Sequence, residues 1–167
     1  KVDPDKVVAA GGSAGGQLAA ALATLTSEET NDACYDLSIS CVPNAVILYN
    51  PYFKCDASLS PPNFVRSGMP PFITFLGDKD PAISVQSMVT FHQSLKSMGG
   101  ASEFYAANGG KHGLCNGRKP RNTFFYWSLE LEDQFLVKHG ILTGDSLVLI
   151  PPGVKQLKPK EDYQSHR

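Results

Sequence analysis

A serine set among four glycines is the first feature of this chain with chemical potential. The stretch VVAAGGSAGGQLAAALAT, residues 7–24, contains Gly11-Gly12-Ser13-Ala14-Gly15, a match to G-x-S-x-G. In that pattern a sharp, strained turn between a strand and a helix exposes a serine hydroxyl, and the glycines let strand and helix approach without side-chain clashes. The pattern alone also arises by chance, so its surroundings decide. Short apolar, β-branched residues end just before it and an alanine-rich helix former begins just after. A dinucleotide fingerprint fails because Ser13 stands at the second glycine, and a phosphate loop fails because Gln17, not lysine, follows Gly16.

A serine hydroxyl becomes a nucleophile only when a base takes its proton, and a histidine base needs a carboxylate to fix its tautomer. Of the four histidines, His92 lies near the apolar side of a helix, His139 ends another helix and His166 sits in a polar tail. His112 is the one in a glycine-flanked loop, NGGKHGLCNG, directly after a strand pattern. Asp78 and Asp80 compete for the carboxylate, both in the turn DKDPAIS. Asp80 is preferred because Pro81 stiffens the turn behind it and because it lies further out. The candidates thus come in the chain order Ser13, Asp80, His112. No metal site is expected: there is no C-x-x-C pair, and His112 with Cys115 supplies half a tetrahedral set.

These loops need a frame, and the sequence predicts one by alternation. Strands are predicted at 6–10, at 44–50 (NAVILYN, bounded by Pro43 and Pro51), at 71–77 (PFITFLG) and at 102–107 (SEFYAA). A helix follows the serine turn. A second runs over about 85–98 with Val85, Met88, Val89 and Leu95 on one face and Gly99-Gly100 as its stop. A third covers 121–139 with Trp127, Leu131 and Phe135 as a core stripe. Residues 51–70 read as a proline-punctuated surface excursion. Such alternation implies an α/β fold, a mostly parallel sheet with helices on both faces and chemistry at the carboxyl ends of the strands. The aromatic YNPYF at 49–53 reads as core or as pocket lining.

Three segments, GGSAGGQLA around Ser13, FLGDKDP around Asp80 and GGKHGL around His112, together resemble an α/β-hydrolase-fold esterase of the hormone-sensitive-lipase and acetyl-xylan-esterase type. The resemblance covers about residues 2–140, the carboxyl-terminal half of that fold. It implies hydrolysis of carboxylic esters through an acyl-enzyme by a Ser13, Asp80, His112 triad, with the Ala14 N–H as one oxyanion donor and no metal or organic cofactor. The substrate it implies is a small-molecule ester, a small acyl ester or an acetylated carbohydrate. Two features depart from the pattern. Gln17 stands where many relatives place a histidine, and no H-G-G-G-type oxyanion loop precedes Ser13. The first strands of the fold are absent too, so an upstream half of the same fold is the expected partner, and the chain alone is expected to be weakened or inactive. A prolyl-oligopeptidase-like serine peptidase and a non-catalytic module of the same fold are the alternative readings.

Composition bounds the rest. The 167 residues suit one domain, here 1–140 as the carboxyl-terminal part of an α/β-hydrolase domain with 141–167 as a C-terminal extension or tail. A net charge of −1 gives no electrostatic footprint for nucleic acid, and no run of about 18 apolar residues exists to span a bilayer. Cys34 and Cys41 are close enough in sequence to bridge in an oxidising compartment, and localisation is left open with a lean to the extracytoplasmic side.

Overall fold

A computed structural model describes residues 3–26, 36 and 38–166. Strands β1 (Val8–Gly12), β2 (Ala45–Tyr49), β3 (Phe72–Gly77), β4 (Ser102–Ala107) and β5 (Tyr163–His166) form one sheet in the order β1-β2-β3-β4-β5. The first four are parallel and β5 runs antiparallel to β4. Helices α1 (Ala14–Thr24), α2 (Val85–Ser97) and α3 (Thr123–Lys138) cover it. The predicted elements are found with their ends moved by about two residues, the usual fraying of an apolar run read without its hydrogen bonds.

The sheet is buried on both faces because its strands carry apolar residues at successive positions, and alternation then assigns them to sides. Ile47, Ile73, Phe75 and Tyr105 join Trp127, Leu131 and Phe135 of α3. Val46, Leu48 and Phe72 face the opposite way, onto Ala19, Ala20 and Ala23 of α1 and Phe91 and Leu95 of α2. Small alanines let α1 lie close on the sheet. The 51–70 excursion contains two 3-10 turns, Ala57–Leu59 and Pro61–Phe64, and Gln17 ties it to α1 by donating to the Leu59 carbonyl at 2.8 Å.

Within residues 141–166, β5 adds to this sheet beside β4. Ile141 and Tyr163 are buried in the α3-side core, and the Tyr163 ring lies 4.9 Å from that of Trp127. Their contribution escapes a periodicity reading because the strand, YQSH, fully buries a single aromatic residue and leaves Gln164 and Ser165 exposed. No helix among the described residues is long and apolar enough to cross a membrane.

Register places the chemistry. Gly12 pairs with Tyr49 and Tyr49 with Phe75, so β1 and β2 end level, while β3 and β4 run on together to the Gly77–Ala107 pair. Ser13, Asn50, Asp78 to Asp80 and the loop of His112 all leave the sheet at that one edge, the carboxyl ends of parallel strands.

Candidate functional site

The turn after β1 is strained at Ser13. Ser13 has φ 55° and ψ −120°, a backbone conformation costly for any residue with a Cβ, typically about 1–3 kcal/mol. Four hydrogen bonds hold it there: its N–H donates to the Tyr49 carbonyl at 2.9 Å, and its own carbonyl accepts from Gly16, Gln17 and Tyr52 at 3.0, 3.2 and 3.0 Å. Gly11 is obligatory, since a Cβ on it would lie 2.1 Å from the Gly15 carbonyl oxygen. The serine side chain does not cap α1, which leaves its hydroxyl free for other contacts. The Ala14 N–H, first in α1, has no acceptor among the described residues and sits at the positive end of the helix dipole.

That hydroxyl meets His112. Ser13 Oγ lies 3.0 Å from His112 Nε2, and His112 Nδ1 lies 2.7 Å from Asp80 Oδ2. The Asp80 side chain is fully buried while that of His112 is about one-third exposed. Its second oxygen accepts from the Ala82 and Ile83 N–H groups at 2.8 and 3.2 Å, so every contact of the carboxylate holds it toward the imidazole. Asp78 takes a different part: its Oδ1 accepts from the Gly109 N–H at 2.6 Å and its other oxygen faces Lys79 at 3.8 Å. The two loops are fastened further by Asp78 and Lys79 N–H bonds to the Ala107 and Gly110 carbonyls. They touch so closely that a Cβ on Gly77 would lie 2.1 Å from the Gly110 oxygen.

Asn50, absent from the sequence reading, completes the contacts of His112. It is 3% exposed at φ 39°, a conformation asparagine tolerates better than most residues. Its Oδ1 accepts from the Gly113 N–H at 3.1 Å, which turns Nδ2 toward His112 Nε2 at 3.2 Å. A donor aimed at Nε2 requires a lone pair there, so the neutral ring carries its proton on Nδ1, facing Asp80. The available signal was positional: Asn50, like Ser13, is the first residue after an apolar strand.

The other histidines lie elsewhere. His92 is buried beside Ser102, its Nδ1 against the serine Oγ, and burial lowers its pKa to about 3. His139 packs on Phe135 and His166 stacks on Phe104. The aromatics of YNPYF divide, since Tyr49 stacks on Phe75 at 5.8 Å while Phe53 meets Phe91 edge-on at 5.1 Å.

A cavity of about 430 Å³ opens over Ser13 and His112, bounded by Tyr49, Asn50, Cys115 and Arg118. Burial pushes the Cys115 thiol up to about 12, so the thiol stays protonated. Behind this wall Glu132 of α3 is 7% exposed and one of its oxygens has no partner among the described residues. Burial raises its pKa to about 7, with the Tyr49 and Ser128 hydroxyls opposing part of that rise. Among the described residues no cluster of three or more His, Cys, Asp or Glu is placed to hold a metal ion. Cys41 and Cys55 are exposed free thiols, and the expected Cys34 partner of Cys41 lies outside the described residues.

No family model and no curated protein sequence matches the chain. Solved structures do. Esterase 2 of Thermogutta terrifontis phosphorylated by paraoxon is 34% identical with a TM-score of 0.79, covering 86% of this chain and 58% of that one. Its propionate-bound form gives 32% identity, a TM-score of 0.78 and coverage of 87% and 60%. The apo form gives 32%, 0.80, 86% and 59%. The chain spans less than two thirds of the length of these esterases. With four parallel strands, helices on both faces and these relatives, the chain has the α/β-hydrolase fold and is similar to the esterases built on it.

Proposed function

We propose that this chain carries the reacting residues of a serine carboxylic-ester hydrolase. The observation that carries the reading is the continuous relay from Ser13 Oγ to His112 Nε2 at 3.0 Å and from His112 Nδ1 to Asp80 Oδ2 at 2.7 Å. In this reading His112 takes the Ser13 proton as Oγ attacks the ester carbonyl carbon. The carbonyl π bond opens to an oxyanion, and the Ala14 N–H donates to it. Asp80 stabilises the imidazolium. Collapse of the tetrahedral species breaks the bond to the alcohol oxygen, which receives the proton from His112 and leaves an acyl group on Ser13. Water, deprotonated by His112, then attacks the acyl carbon; the acid departs and Ser13 regains its proton.

The similarity to the Thermogutta terrifontis esterase supports the class of chemistry, since that one enzyme is seen phosphorylated by paraoxon and with propionate or butyrate bound. Small acyl groups are therefore the proposed acids, with acetylated carbohydrate among the candidate esters. A second oxyanion donor from a segment upstream of β1 is part of this reading. Loss of one such donor typically costs roughly 100- to 1,000-fold in rate.

The test is release of 4-nitrophenolate from 4-nitrophenyl acetate by the chain and by an upstream-extended form of it, each beside its Ser13→Ala variant. A phosphonate probe with mass-spectrometric location of the adduct runs in parallel. Ser13-dependent turnover and an adduct on Ser13 are expected. An adduct elsewhere, or turnover indifferent to Ser13, refutes the assignment.

A further inference from the structure

The loop that carries His112 is strongly basic in a chain that is not. Residues 108–122, NGGKHGLCNGRKPRN, hold Lys111, Arg118, Lys119 and Arg121 and no carboxylate, whereas the whole chain has 15 Lys and Arg against 16 Asp and Glu. Among the described residues none of these four makes an ion pair. The carboxylates of the neighbouring segments are engaged: Asp80 by His112 and two backbone N–H groups, Asp78 by Gly109 and Lys79, and Asp162 and Glu161, whose carbonyls take Asn108, by Lys155 and Lys158. The charges are therefore uncompensated where the loop meets the site.

Their placement is specific. Arg118 bounds the same cavity as Ser13 and His112. A second cavity of about 360 Å³, which shares His112, Gly113 and Asn116 with the first, is bounded by Lys111, Lys119 and Arg121. The loop is a braced platform. Asn122 donates to the Leu114 carbonyl at 2.8 Å and to the Asn116 carbonyl at 2.6 Å, and the Arg118 N–H donates to Asn116 Oδ1 at 3.3 Å.

We infer that the site selects esters whose alcohol part carries an anionic oxygen group, a carboxylate or a sulfate, as an acylated acidic sugar does. The inference rests on the hydrolase reading and extends it to substrate class. In that chemistry His112 returns its proton to the departing alcohol oxygen, so the alcohol part lies against the His112 loop and the acyl part lies away from it. The four cations stand on the loop that borders the alcohol. Arginine's planar fork suits a two-oxygen anion, and lysines add point charge around it.

The assay compares 4-acetoxybenzoate, its neutral methyl ester and 4-acetoxybenzenesulfonate, reading the ratio of kcat/KM for each anion to that for the methyl ester. Each exposed charge contact is expected to change that ratio by about threefold, and the Arg118→Gln, Lys119→Gln, Arg121→Gln triple variant by roughly tenfold or more. Arg118→Lys, which keeps the charge and loses the fork, is expected to keep only part of the carboxylate ratio. Lys96→Gln removes one positive charge, as each single loop substitution does, from the last turn of α2, where Lys96 bonds the His166 carbonyl, and is expected to leave the ratio unmoved. Raising salt to 1 M, where the screening length falls to about 3 Å, should erase the preference in the unaltered chain. A larger loss for the sulfonate than for the carboxylate assigns the site to sulfate, the reverse to carboxylate. Ser13-dependent hydrolysis of the methyl ester with an anion ratio indifferent to the triple variant and to salt overturns this inference alone. Absence of Ser13-dependent hydrolysis of all three esters overturns the hydrolase reading and this with it.

Discussion

Glu132→Gln should make the protein's stability less sensitive to alkali, and the size of the effect follows from where Glu132 sits. Its carboxyl is 7% exposed beneath Tyr49 and Cys115, and burial lifts its pKa from 4.5 to about 7. A carboxyl whose folded pKa is raised binds its proton more tightly in the folded chain than in the unfolded one. Its contribution is therefore fully present below about pH 4.5 and is lost as pH rises through about 7. Two and a half units at about 1.4 kcal/mol per unit make the whole loss roughly 3 kcal/mol, of which roughly 2 to 3 kcal/mol falls between pH 5 and pH 8. Glutamine keeps the shape and cannot ionise. Urea unfolding of both proteins at pH 5, 6, 7 and 8 measures the difference, and comparing variant with parent at each pH cancels the histidines that titrate in the same range. The variant should gain on the parent by that amount across the series, with most of the gain between pH 5 and 7. A difference flat to within about half a kcal/mol would mean that Glu132 ionises as readily folded as unfolded, and the burial argument would fail.

The remaining expectations concern the turn, the Nε2 donor and the acid limb. Gly11→Ala drives a Cβ to 2.1 Å from the Gly15 oxygen and should destabilise the chain by about 3 kcal/mol or more, whereas a Cβ on Gly15 meets nothing within 4 Å. Gly15→Ala, inside α1, should instead stabilise by about 0.5–1 kcal/mol, and urea midpoints of the pair distinguish steric need from mere pattern. Asn50→Ala removes both the Gly113 tie and the donor to His112, and is expected to lower kcat about tenfold or more with KM little changed, read on 4-nitrophenyl acetate. His92, with a pKa lowered to about 3 by burial, contributes stability present above pH 6.5 and lost as pH falls through 3. Replacing the pair as His92→Leu with Ser102→Ala should move the acid-unfolding midpoint, followed by circular dichroism, to lower pH.

What the sequence makes legible here is what local pattern encodes. Runs such as AVILY and FITFLG, apolar at nearly every position, announce strands covered on both faces, and glycines flanking a serine between a strand and a helix announce an elbow. His112 and Asp80 stand out as the right residue types directly after strands. The parts that hold them do not stand out, because they work through proximity between distant segments. Gly77 and Gly110 matter as a pair of touching backbones 33 positions apart, and neither is unusual alone. Asp78 looks like a competitor of Asp80 until its bond to Gly109 shows it bracing the histidine loop. Glu132, adjacent in sequence to the Leu131 stripe, carries no local mark of burial, and its burial depends on Tyr49 arriving from β2. Asn50 reads as the last residue of the strand run that Pro51 closes. Its role exists only once the sheet sets it level with Ser13, so that one amide spans the Gly113 N–H and the His112 ring. The division is physical: side chains that would react are named by their chemistry, whereas those that fix a tautomer or a loop spacing are named by geometry, and geometry is what folding adds.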